Sequence, residues 1–341
     1  MEEASIRQAT ELLRKSSTAL LFLGGRALRR KGLRAVARIK EATGCDVLAE
    51  TFAARIERGG GILPVPRLPY FPEEATKRLS KYEVVVLAGA SVPVATFAYK
   101  GGKSTMLNDK SQVLAISEGK QNIEEILEAL ADSVSGARTT ATKSGTDRSV
   151  NRPAPGNGRL TPDTLGRTLA ALQPEGAIIV DEAITSGGPY HGFSSSLPWH
   201  TVIALTGGAI GQGMPSAVGA AIACPERAVI NLQGDGSAMY TLQALWTQAH
   251  EGLNITTLMC ANRSYDILKL EMTRGGYVPA GPAAQTLTDL AEPPLDWVRL
   301  SSGMGVPGVS VETAEDLARE LAKALDEDGP HLIEMKMSRQ T

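Results

Sequence analysis

The chain has 341 residues, 35 basic against 37 acidic, and a pI near 6.2. That balance leaves no net field to hold nucleic acid or an anionic membrane, so small-molecule chemistry is the default. The length exceeds what one hydrophobic core usually serves and favours two domains.

The opening segment, MEEASIRQATELLRK, is acidic and amphipathic and has no apolar stretch of signal-peptide type. No run approaches the roughly 18 apolar residues of a membrane span, so a soluble, cytoplasmic protein is expected. From there to residue 131, short apolar runs at 19–23, 47–48, 84–88 and 113–116 alternate with amphipathic stretches at 32–42 and 122–131. This βα rhythm predicts a parallel sheet with helices on both faces. The first run ends in Gly24-Gly25 and invites a dinucleotide reading. The fingerprint fails, because Arg26 and Leu28 stand where a pyrophosphate needs glycine. Residues 133–158 are rich in Ser, Thr, Gly, Pro and Arg without apolar periodicity and read as a linker.

After residue 158 the rhythm resumes, with apolar runs at 177–180, 202–205, 228–232, 255–260 and 332–335 that read as strands buried on both faces. Thr161, followed by Pro162, and Thr313, followed three residues later by Asp316, mark helix starts. Cys45, Cys224 and Cys260 lie far apart and read as buried thiols of a reducing compartment. His250 and Glu251 read as a solvated helix end. His191 is either a surface-loop histidine or a residue that reaches a substrate. Residues 272–287, rich in Gly, Pro and Ala, form either a lid or a passive excursion.

The most informative stretch is Asn231-Leu-Gln-Gly-Asp-Gly-Ser-Ala-Met-Tyr240. An apolar strand ends in Gly234-Asp235-Gly236, and Ala238, Leu242, Leu245, Trp246 and Ala249 follow at helical spacing, with Gly252 placed to end the helix. Alone, Gly-Asp-Gly is a common turn. At the carboxyl end of a parallel strand facing a helix start, it is also an anion site. Asp235 offers a hard oxygen. The next strand ends in Asn262, 27 residues on, which would complete an oxygen set with the backbone carbonyl of Ser264. Such a set suits magnesium or calcium rather than zinc.

With that spacing the chain resembles the thiamine diphosphate-dependent enzymes of the acetolactate synthase and 2-oxo-acid decarboxylase family. Their signature is Gly-Asp-Gly followed, after a helix and a strand, by Asn. Gly207-Gly-Ala-Ile-Gly-Gln-Gly-Met-Pro215 is similar to the block that precedes it, and residues 4–133 resemble the family's central domain, without an FAD signal. The resemblance implies an α/β fold of two doubly wound parallel-sheet domains. A central Rossmann-like domain would occupy residues 1–132, a linker 133–158 and the thiamine diphosphate-binding domain 159–341.

The resemblance also implies a site, position by position. Asp235, Asn262 and Ser264 would hold Mg2+. Thr185 and Ser186 match positions that bond the diphosphate, and Gly234, Gly236, Ser237 and Ile267 would bring main chain to it. Ile210 matches the bulky residue that bends the cofactor, and Gly208 the one whose carbonyl accepts a hydrogen bond from the 4′-amino group. Leu268 stands where simple decarboxylases of the family carry glutamate, which favours carbon–carbon ligation over aldehyde release. The implied reaction is decarboxylation of a 2-oxo acid such as pyruvate, then ligation to a second carbonyl.

The family's amino-terminal pyrimidine-binding domain, with its activating glutamate, has no counterpart in the sequence. A separate subunit, a truncated product or a glutamate-free mechanism would each account for that. A homodimer is expected by resemblance. The rival reading is a non-catalytic cofactor-binding subunit that needs a pyrimidine-domain partner.

Overall fold

A computed structural model describes residues 2–97, 101–117, 121–136, 150–277 and 281–338. The chain divides into two units, residues 1–57 with 61–148, and 149–341 with 58–60.

In the first unit the elements run α1 (Glu2–Lys15), β1 (Ala19–Leu23), α2 (Arg30–Thr43), β2 (Asp46–Ala49), β3 (Arg55–Arg58), α3 (Pro72–Leu79), β4 (Val84–Ala88), β5 (Gln112–Ala115) and α4 (Ile123–Ser135). Four of the strands pair in parallel in the order β2-β1-β4-β5. Strands β1 and β4 are apolar throughout and wholly buried, as strands with helices on both faces must be. The 113–116 run reads as a strand, but β5 is an edge strand and largely exposed. Gly44, at φ 74, ends α2 in the left-handed conformation that glycine adopts without Cβ strain.

The second unit continues with α5 (Pro162–Leu172), β6 (Ile178–Glu182), α6 (Gly188–Phe193), β7 (His200–Ala204), α7 (Gly213–Ala223), β8 (Val229–Gly234), α8 (Asp235–Ala238), α9 (Ala244–His250) and β9 (Ile255–Ala261). It ends with α10 (Asp266–Arg274), α11 (Pro282–Thr288), α12 (Trp297–Gly303), β10 (Gly308–Val311), α13 (Ala314–Asp326) and β11 (His331–Lys336). Its parallel strands take the order β10-β11-β9-β8-β6-β7. From β6 the chain goes to β7 on one side and then returns to β8 on the other. The order therefore reverses at β6, and an open sheet has its crevice beyond the carboxyl ends of the strands at such a switch point. The fold is α/β, with parallel strand pairs building both sheets.

Both marked helix starts form. Thr161 accepts the amide of Thr164 in a capping box, and Thr313 accepts that of Asp316. The helix expected to run on from Gly234-Asp235-Gly236 is broken. Four-residue α8 gives way to turns, and helix resumes only at Ala244. Thr241 donates its hydroxyl to the carbonyl of Gly211 at 2.8 Å, a bond that draws the chain off the helical path. Trp246, predicted on the buried stripe, is exposed and stacks on His250, which with Glu251 is solvated. Strands β3 and β10 fall where no apolar run signals a strand.

Of the predicted linker, residues 137–149 lie outside the described ones. Residues 150–158 pack along the second unit. The Arg152 guanidinium donates to the carbonyls of Ala171 at 3.0 Å and Gln173 at 2.7 Å, satisfying the end of α5. Cys45 and Cys260 are buried and Cys224 only partly so, and all three are free thiols. Among the described residues, no helix is long and apolar enough to cross a membrane.

Helix α5 meets α6 at Gly166, where a methyl group would fall 2.7 Å from the backbone nitrogen of Tyr190. Backbone cannot rotate away as a side chain can. Gly166→Ala is therefore expected to destabilise the chain by about 1–3 kcal/mol, the usual range for overpacking, as read from urea unfolding. An unchanged midpoint would show that α6 slides freely.

Candidate functional site

At the carboxyl ends of β6, β8 and β9 lies a cleft open to solvent. Thr185, Ser186, Ile210, Gly234, Asp235, Gly236, Ser237, Asn262, Ser264 and Ile267, separate in sequence, all line it. Gly208 is not part of the lining. It lies exposed on the same loop as Ile210, at φ 72.

The geometry centres on Asp235, which is 3 % exposed. Its Oδ1 accepts the Gly236 amide at 2.8 Å and its Oδ2 the Arg263 amide at 2.7 Å. The carboxylate is thus bonded directly to the turn that carries Asn262. Burial pushes Asp235 up to about 6, against the pull of those two amides, and the nearby charge of Asp266 adds to the rise. Arg263 reaches this position at φ 57, a left-handed conformation uncommon for a non-glycine residue. Asn262 donates from Nδ2 to Asp266 at 2.9 Å, while its Oδ1 accepts the Ser264 amide at 3.1 Å. Those bonds fix which way the side-chain amide faces.

Opposite, the hydroxyl of buried Ser186 bonds the Cys260 thiol, whose pKa is raised by burial and by the charges of Asp235 and Asp181. Ser237 accepts from Gln233 Nε2 at 2.7 Å and donates to the Gly234 carbonyl at 3.0 Å. Ile210 is 49 % exposed at the cleft edge, with Ile184, Tyr240 and Leu268 also open to solvent.

Sequence reasoning missed Glu182, Tyr265 and Asp266, which also line the cleft. Tyr265 covers Gly236 so closely that a methyl there would lie 2.5 Å from its Cε1. Gly236 is therefore required by the tyrosine as much as by any phosphate. An acid at the end of a buried strand was the available signal for Glu182. Two expectations need correction. His191 is in α6 rather than a surface loop, with Nε2 2.6 Å from Asp181 Oδ2 and only 12 % of its side chain exposed. Residues 272–287 are largely helical, shared between the end of α10 and α11, with 278–280 outside the described residues.

The donor set is all oxygen, and among the described residues no group of three His, Cys, Asp or Glu side chains could hold a metal. The site is thus a cleft lined by oxygen donors at the carboxyl ends of neighbouring parallel strands in an α/β fold. The family "Thiamine pyrophosphate enzyme, C-terminal TPP binding domain" matches residues 188–335. Residues 188–335 thus match the C-terminal cofactor-binding domain of the thiamine pyrophosphate enzymes, and the chain is similar in sequence to acetolactate synthases.

The chain is 43 % identical over 325 residues to the Mycobacterium tuberculosis protein named "Putative acetolactate synthase large subunit IlvX", covering 95 % of this chain and 62 % of that one. It is 33 % identical over 183 residues to benzoylformate decarboxylase of Pseudomonas aeruginosa, covering 52 % and 32 %. It thus spans under two thirds of either relative. The fold matches the Rhodococcus jostii thiamine diphosphate-dependent 4-hydroxybenzoylformate decarboxylase with a TM-score of 0.77 at 24 % identity, over 99 % of this chain and 64 % of that one.

Proposed function

We propose that this chain holds Mg2+ and thiamine diphosphate in the cleft and, so loaded, decarboxylates a 2-oxo acid such as pyruvate and ligates the product to a second carbonyl. The observation that carries this reading is the bond from the Arg263 amide to Asp235, which ties the two signature turns into one site. The residues present fit the ion. A buried carboxylate beside a second acid, Asp266, is costly until a cation offsets it, and the neighbouring ligands are hard oxygens.

Asp235, Asn262 and the Ser264 carbonyl would hold the metal. Thr185, Ser186, Gly234, Gly236, Ser237 and Ile267 would take the diphosphate, and Gly208 and Ile210 the remainder of the cofactor. Bound there, thiamine diphosphate supplies a thiazolium that takes up the electron pair left as CO2 departs. The chain's own part is to anchor the phosphates, orient the rings against Ile210 and limit water. Leu268, lacking a carboxyl group, offers no proton near Ile267, which favours ligation over aldehyde release.

The apolar rim of Ile184, Ile210, Tyr240 and Leu268 fits a covering protein surface. We assign it to a second copy of the chain or to a separate pyrimidine-domain subunit. The same rim supports the second reading, a cofactor-binding subunit inactive on its own. Unpaired thiols accord with a cytoplasmic setting.

Calorimetric titration of the purified chain with thiamine diphosphate tests the reading. One-to-one binding that requires Mg2+ is expected, and a folded chain that takes up none with Mg2+ present would overturn it. Assay with pyruvate, together with the mass of whatever co-purifies, separates the enzyme from the subunit.

A further inference from the structure

The end of β6 carries a buried carboxylate that nothing in the diphosphate reading uses. Glu182 is 3 % exposed, and its two oxygens are engaged from the loop on which Ile210 sits. Oε1 accepts the Gly211 amide at 2.6 Å, and Oε2 accepts the Gly213 amide at 2.6 Å and Gln233 Nε2 at 3.1 Å. Gln233 also donates to Ser237 at 2.7 Å, so one side chain joins β6, β8, the start of α7 and the 207–213 loop.

The close approach depends on glycine. A methyl at Gly213 would collide with Gln233 Oε1 and lie 2.7 Å from Glu182 Oε2, and one at Gly211 would lie 2.7 Å from Tyr240 Cβ. The far side of the loop is closed by Gln212, whose Oε1 accepts from the Thr206 amide at 3.1 Å and hydroxyl at 2.9 Å. Residues 207–210 themselves are exposed. Glu182 and Gln212 are therefore the side chains that hold this glycine-rich segment in place, with Thr241 bonding the Gly211 carbonyl. A loop with four glycines between Gly207 and Pro215 has high conformational entropy to lose on binding unless it is already fixed.

We propose that Glu182 is a positioning residue: it clamps the 207–213 loop through the Gly211 and Gly213 amides, so that Ile210 is already set at the cleft before any cofactor arrives. The proposal rests on the reading that Ile210 supports the thiamine half of thiamine diphosphate, while the phosphate half is held elsewhere in the cleft. The clamp should then govern affinity for the whole cofactor and leave affinity for its diphosphate end alone. In Glu182→Gln one oxygen becomes an NH2 group that faces an N–H donor, so one of the two clamping bonds is lost. Glu182→Asp keeps the charge but shortens the reach.

The test combines hydrogen–deuterium exchange on the chain without added cofactor with calorimetry using Mg2+ plus either thiamine diphosphate or inorganic pyrophosphate. In either variant, exchange across 207–213 is expected to quicken at least tenfold while β6 and β8 keep their protection. Thiamine diphosphate affinity should fall at least tenfold and that for pyrophosphate less than twofold. Unchanged exchange in the loop of a folded variant, or equal loss for both ligands, would overturn the proposal. If the unsubstituted chain binds no thiamine diphosphate, the cofactor reading fails, and the exchange comparison still decides whether Glu182 clamps the loop. Should Glu182→Gln not fold, Glu182→Asp carries the same comparison.

Discussion

Asp235→Ala is expected to lower thiamine diphosphate affinity by at least a hundredfold, about 2.7 kcal/mol, and to remove a pH dependence from the stability of the cofactor-free chain. The sign follows from the direction of the shift. Burial raises the carboxyl from 3.8 to about 6, so the folded chain binds this proton more tightly than the unfolded chain does. The group therefore costs nothing below about pH 4. Its cost grows between pH 4 and 6 and stands in full above pH 6, at about 3 kcal/mol for a shift of roughly two units.

Unfolding free energies of the unsubstituted chain and the variant, measured from pH 4 to 7.5, should thus diverge as pH falls through 6, with the unsubstituted chain gaining. Mg2+ with cofactor should stabilise the unsubstituted chain at neutral pH and leave the variant, which binds them far more weakly, nearly unchanged. Below pH 6 protonation competes with the metal, and affinity should drop about tenfold per unit. Unaltered affinity in Asp235→Ala would remove the carboxylate from any ligand set.

Gly236→Ala should bring a loss of comparable size by a steric route. The added methyl lies 2.5 Å from Cε1 and 2.7 Å from Cδ1 of Tyr265, and 3.4 Å from Leu290 Cδ1. The ring is the movable partner, and it lines the cleft, so it is pushed into the space a ligand would take. Cofactor affinity is expected to fall about a hundredfold while the melting temperature changes little. Tyr265→Ala in the same chain should restore most of it, giving a coupling of about 1–3 kcal/mol in a double-mutant cycle. Strict additivity of the two substitutions would show that the contact is not what excludes the ligand.

Much of this site could be read from letters alone. Strands β6, β8 and β9 are mostly apolar because both their faces are buried, and such runs announce themselves even where Asn231, Gln233, Thr256 and Thr257 interrupt them. Asp235 and Asn262 were visible because one helix-and-strand repeat separates them, which brings their turns to neighbouring strand ends. What escaped notice depends on bonds to backbone. Arg152 holds carbonyls at the end of α5, and Glu182 holds amides of a distant loop, contacts that no spacing of side chains announces. The break between α8 and α9 has the same origin. Its apolar spacing fits a continuous helix, while the Thr241 hydroxyl commits to the Gly211 carbonyl 30 residues upstream. His191 looked like a loop residue because Gly187, Gly188 and Pro189 precede it, yet Asp181 draws it inward.

The link between the cleft's two halves is a peptide nitrogen, that of position 263. Natural variation there should follow dihedral angle rather than charge: glycine, asparagine or aspartate could replace the arginine and keep the link, whereas valine or isoleucine would break it. A pattern written only in conserved side chains would leave that position blank, although the joint turns on it.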